Sequence, residues 1–175
     1  SARDERVGRG GGRAEDPLNT ATTGIWVAQA LRAQGRMVEA LACLETPISL
    51  ARRGAYDQPF VGGRVLLTAA DLLERAGDVE AAIGRLKDTL AAVMPSVTSA
   101  ETVAELAKAV DLALADGPER VEVAVEALVA LSRLTKDTNL LDRALDLLAM
   151  GRLQIDADPV DRLGVLAGLT GALLG

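Results

Sequence analysis

Two pairs of charged residues have spacings that could do chemistry. Asp142 and Asp146 lie four apart in LDRALDLL, and Asp71 and Arg75 do the same in ADLLER. On a helix, a carboxylate pair at i and i+4 shares one side and could share a proton or a cation. Neither pair has the other groups that such chemistry requires. The chain has no histidine and one cysteine, Cys43, which removes Ser-His-Asp and Cys-His catalysis and leaves no ordinary zinc site. Cys43 stands beside Leu41 and Leu44 and reads as a small core residue rather than a reactive thiol. The glycine-rich GRGGGR, 8–13, lacks both a Gly-Lys-Ser/Thr ending and a preceding strand, so it is no phosphate loop. The charged pairs therefore read as solvated helix faces. No catalytic residue, cofactor or metal is expected, and the protein is read as a non-enzyme.

Composition narrows the partners. The formal net charge of −6 leaves little basic charge to neutralise phosphates, which argues against nucleic acid. Of the 175 residues, 49% are hydrophobic but only 2% aromatic: Trp26, Tyr56 and Phe60. Leu, Val and Ala must fill the core, as in close-packed helices. No run reaches the roughly 18 apolar residues of a membrane span, and SARDERVGRGGGR has no apolar signal-peptide core. A soluble, cytoplasmic protein without membrane partners is the expectation. Because it begins at Ser1, the chain is read as a piece of a longer one.

The elements that must position these residues are helical. Residues 1–16 form an Arg/Gly-rich tail, expected to be disordered. From Pro17 on, apolar residues recur at helical spacing. The pattern predicts helices over 18–34, 37–52, 61–76 and 79–93, then one capped by Thr98 with Glu101, then 118–134, a helix from Asp137 or Thr138 to 155, and a last one from Asp158-Pro159 to the end. Pro47 predicts a break near Thr46. No stretch alternates long enough for a convincing strand. The fold class is all-α, with about eight helices.

One turn recurs. ALRAQGRMVEALACL, 30–44, overlays LLERAGDVEAAIGRL, 72–86, at an offset of 42 residues: Leu31 on Leu73, Gly35 on Gly77, Ala40 on Ala82 and Leu44 on Leu86, with Ala28 on Ala70 upstream. Small residues allow two antiparallel helices to approach, the glycines turn the chain, and the leucines fill the space between. This pattern resembles the tetratricopeptide repeat in the long form found in bacterial regulators and CHAT-domain proteins. The resemblance implies that residues 17–175 form antiparallel helix pairs stacked as a right-handed solenoid.

The resemblance also implies a function. First helices of such arrays line a concave groove that accepts a protein or peptide. The corresponding positions are Thr22, Ile25, Gln29, Arg32 and Ala33 in the first unit, and Arg64, Leu67, Asp71, Glu74 and Arg75 in the second. Chaperone-type members clamp a terminal carboxylate with Lys and Asn; Ile25, Gln29, Leu67 and Asp71 stand here instead, so that activity is not expected. The leading expectation is a protein-interaction scaffold within a larger bacterial regulatory protein. The alternatives are a ligand-sensing helical domain of a transcriptional regulator and a self-associating structural module. The last expected helix, VDRLGVLAGLTGALLG, carries apolar residues on most sides. Leu166, Leu169 and Leu173 are therefore candidates for self-association, forming a homodimer through the C-terminal helix.

Overall fold

A computed structural model describes residues 16–154. Among the described residues there are eight helices and no strand: α1 (Pro17–Ala33), α2 (Met37–Ala42), α3 (Glu45–Arg52), α4 (Pro59–Arg75), α5 (Val79–Val93), α6 (Val103–Ala115), α7 (Glu119–Thr135) and α8 (Thr138–Gln154). The number agrees with expectation, but the division differs. The pattern over 37–52 forms two helices, α2 and α3, and the helix expected from Asp158 lies outside the described residues. So do the tail 1–15 and Leu166, Leu169 and Leu173.

Local chemistry explains the boundaries. Asp16 caps α1 by accepting from the Leu18 N–H, and Pro17 fills the first turn, where no amide donor is needed. The α4 helix likewise has a proline, Pro59, in its first turn, but Gln58 before it makes no side-chain cap. Both close at a left-handed glycine: Gly35 with φ 74° and Gly77 with φ 87°. Beyond each glycine an amide bonds back over the last turn, Arg36 N to Leu31 O and Asp78 N to Leu73 O. Asp78 then starts α5 by accepting from the Ala81 N–H. The predicted break falls at Cys43–Leu44, just ahead of Pro47. Pro47 sits in the first turn of α3, the part of a helix that tolerates it.

The capping box lies four residues later than expected. Thr102 and Glu105 form it, and α6 starts at Val103. The Thr98–Glu101 spacing would serve equally well in sequence. Tertiary contacts decide: Arg143 of α8 donates to the carbonyls of Val97 and Ala100, which holds 94–102 as an irregular, partly buried link.

Helix packing gives three pairs and one insertion. The α1 helix packs on α2 and α3, α4 on α5, and α7 on α8, while α4 also contacts α1 and α7. The α6 helix packs on α7 and α8. A common register runs through the pairs. The opening proline precedes the left-handed residue by 18 positions each time: Pro17 to Gly35, Pro59 to Gly77, Pro118 to Lys136. Lys136, with φ 62°, takes the conformation that glycine takes in the first two pairs. The helix beginning near 118 is therefore the first of its pair, and α6 is an insert between the second and third pairs.

The central helix, α4, takes part in all three apolar clusters. One joins Ala28, Ala40 and Leu44 to Ala69 and Leu72. Another joins Ala21, Ala51 and Tyr56 to Val61, Val65 and Leu66. The largest runs from Ala70 and Leu86 into α6, α7 and α8, with Leu128 and Leu147 fully buried. Each fully buried leucine contributes about 1.5–3 kcal/mol. Small residues set the approach. A Cβ added at Gly63 would lie 2.4 Å from Val93 Cγ1 and 3.0 Å from Val123 Cγ1.

Candidate functional site

The first helices of the three pairs lie side by side, and ion pairs between them give their direction. Arg32 in the last turn of α1 donates to Asp71 Oδ2 near the end of α4 at 2.7 Å. Arg64 near the start of α4 reaches Glu126 at 2.9 Å and Glu122 at 3.5 Å, both in the first half of α7. Glu74 and Arg133 pair near the far ends of α4 and α7, with Arg133 Nη2 to Glu74 Oε2 at 2.8 Å. Start meets start and end meets end, so α1, α4 and α7 run parallel.

Between them lies a groove of about 820 Å³. Its apolar lining includes Ile25 on α1, Leu67 on α4, Leu86 on α5, and Val129 and Ala130 on α7. Of the positions the resemblance assigned to a groove, Ile25, Gln29, Arg32, Arg64, Leu67, Asp71, Glu74 and Arg75 all line this one. Thr22 and Ala33 do not; both are exposed elsewhere on α1. The side supplied by α7, Glu126, Val129, Ala130 and Arg133, was missed from sequence. The signal that finds it is the proline spacing: Arg32, Glu74 and Arg133 each stand 15 positions after an opening proline, at 17, 59 and 118.

The arginines of the groove are bound to its own carboxylates. Asp71 accepts from Arg32 on one side and from Arg75 Nε, 3.0 Å to Oδ1, on the other. The hydrogen bond from Arg133 holds the Glu74 carboxyl below the usual glutamate range and raises the Arg133 guanidinium in turn. These pairs are partly solvated, so they orient the side chains more than they stabilise the fold. Charge is unevenly divided along the groove. Arg32, Arg75 and Arg133 stand against Asp71 and Glu74 at the end where the three helices finish, while Arg64 stands against Glu122 and Glu126 near the start. The finishing end thus sets three guanidinium groups against two carboxylates.

The other residues singled out for chemistry lie apart from the groove. Asp142 and Asp146 are exposed on α8. No group of three or more His, Cys, Asp or Glu among the described residues is placed to hold a metal ion. Cys43 is half-buried, its Sγ 3.0 Å from the Ala40 carbonyl, and burial raises its thiol pKa. None of the helices among the described residues is long and apolar enough to cross a membrane.

The chain matches no protein-family model, no curated protein and no solved structure. Within the chain itself, the three pairs share one register, and their first helices form one groove.

Proposed function

We propose that the protein is an interaction scaffold, a tetratricopeptide-like repeat region whose groove between α1, α4 and α7 receives a segment of a protein partner. The observation that carries this reading is an open groove with an apolar floor of Ile25, Leu67, Val129 and Ala130, bordered by side chains already held in place by ion pairs. Ordered borders reduce the side-chain entropy lost on binding. Apolar floors supply the burial that drives association. The surplus of guanidinium groups at the finishing end favours a segment that sets acidic residues near Arg32, Arg75 and Arg133. A helix with one apolar stripe and acidic residues at its start meets these demands when it lies antiparallel to α4.

Filling the groove tests the proposal. Gln29 is exposed and lines it, so Gln29→Trp adds bulk there without disturbing the core. Lys87→Trp adds the same bulk at an exposed position of α5 that does not line the groove. A partner retained by the parent chain and by Lys87→Trp, but lost at least about tenfold with Gln29→Trp, about 1.4 kcal/mol, is the expected result. Equal retention by both variants would place binding elsewhere.

A further inference from the structure

A second cleft, of about 430 Å³, opens where α3, α4 and α5 meet, and it shares no residue with the groove. Its apolar walls are Ala51, Tyr56, Pro59, Gly62, Ala91 and Ala92. Tyr56 turns its hydroxyl to the Pro47 carbonyl, 3.4 Å away, so its ring is what the cleft meets.

The repeat register explains why the space is open. Counted from the left-handed residue of each pair and from each opening proline, Ala51 matches Val93, Arg52 matches Met94, Gly62 matches Val121, Asp88 matches Leu147 and Ala91 matches Met150. All five counterparts belong to the large apolar cluster at the junction of the second and third pairs, and all but the half-buried Met150 are buried. Ala92 alone exceeds its counterpart, Gly151, and only by a methyl group. A Cβ added at Gly151 would stand 3.8 Å from Val121 Cγ1, so the counterparts of Ala92 and Gly62 meet where those two residues line open space. At the second junction the chain fills its interior with its own aliphatic side chains. At the first it leaves a cleft of the size that holds small molecules.

The charges beside the cleft are unevenly used. Asp88 accepts from Arg85 at 2.6 Å, whereas Arg52 comes only within 3.6 Å of the same carboxylate, beyond hydrogen-bond length. Two guanidinium groups therefore share one carboxylate, and Arg52 has donors to offer an incoming anion.

We propose that this cleft binds a small aliphatic carboxylate, its chain taking the place that Val93, Val121, Leu147 and Met150 occupy at the next junction and its carboxylate meeting Arg52. The inference rests on the repeat register and on the Arg52 contact, and not on what the groove binds.

Octanoate, with octanol as its neutral counterpart, tests the proposal on the full chain. The readout is the set of alanine methyl resonances, followed by NMR at concentrations below micelle formation. Octanoate should shift those of Ala51, Ala91 and Ala92 in a saturable way and leave that of Ala104, exposed on α6, in place. Octanol should bind at least about fivefold more weakly, about 1 kcal/mol. Arg52→Met should abolish that preference. Ala91→Met supplies the side chain that the second junction carries at this position, and should weaken both ligands at least about tenfold. Both replaced residues are exposed, so the core is untouched. Gln29→Trp in the groove should change neither affinity. Unmoved methyls at Ala51, Ala91 and Ala92, full binding by Ala91→Met, or loss of binding with Gln29→Trp would overturn the site. Equal affinity for octanol, or a preference for octanoate that survives Arg52→Met, would overturn the assignment of a carboxylate to Arg52.

Discussion

Replacing Gly63 by alanine places a methyl group where α4 meets two neighbours at once. The new Cβ would stand 2.4 Å from Val93 Cγ1 and 3.0 Å from Val123 Cγ1, against the roughly 3.5–4.0 Å of a relaxed carbon contact. Both valines are fully buried, so relief requires a shift of an ångström or more inside a filled core. Overpacking of this kind costs about 1–3 kcal/mol. Alanine recovers about 0.8–1 kcal/mol of helix propensity over glycine, which leaves a net loss of up to about 2 kcal/mol. Gly84 supplies the control. It stands in α5, exposed, with nothing within 4 Å of its added Cβ, so Gly84→Ala keeps the propensity gain of about 1 kcal/mol. Urea denaturation followed by far-UV circular dichroism measures both. The two substitutions should move the midpoint in opposite directions. A Gly63→Ala chain as stable as Gly84→Ala would refute the close approach of α4 to α5 and α7.

Other expectations follow from single contacts. Lys136 holds a left-handed conformation that glycine adopts without strain, so Lys136→Gly should raise stability by about 0.5–1 kcal/mol in the same assay; a loss would mean that the turn does not require φ above zero. Arg143→Met keeps the apolar stem but removes the donor to the Val97 and Ala100 carbonyls. It should cost about 1–2 kcal/mol and speed amide exchange over 94–102 while leaving α1 unchanged. The depressed Glu74 carboxyl contributes stability that is fully present above the unfolded glutamate value of about 4.3. That contribution is lost as pH falls through the lower folded value. The gap between the parent and Glu74→Gln should therefore be flat from neutrality to about pH 5 and close below it, never exceeding about 1 kcal/mol because Arg133 is half-solvated. A gap that widens on acidification would contradict the sign.

The features legible in sequence were local ones. Apolar spacing located the helices, and the matched turns at Gly35 and Gly77 located two pairs, because a left-handed residue strongly favours glycine. Eight groove positions on α1 and α4 followed from the register of those two pairs. The third pair was hidden by two substitutions of means. Its turn uses Lys136 in place of glycine, and the inserted α6 shifts its spacing from the earlier pair. Glu126, Val129, Ala130 and Arg133 were missed for that reason. The ion pairs were illegible for another: Arg32 and Asp71 are 39 residues apart and Arg133 and Glu74 are 59 apart, and helical periodicity cannot tell which of several exposed charges will meet across helices. The cap of α6 was misplaced because Thr98 and Thr102 offer equivalent local geometry, and the choice between them is made by Arg143 on a distant helix.

The central claim is that α1, α4 and α7 together form one partner surface. Photo-crosslinking residues placed singly at Gln29, Leu67 and Val129, one on each helix, test it most directly, with Lys87 on α5 and Lys108 on α6 as exposed positions outside the groove. Mass spectrometry of the products reports which partner residues each position touches. All three groove positions should label one contiguous segment of a single partner, ordered along it from helix to helix, while positions 87 and 108 leave that segment unlabelled. Labelling of the same segment from position 87 or 108, or labelling of unrelated proteins from the three groove positions, would contradict the claim.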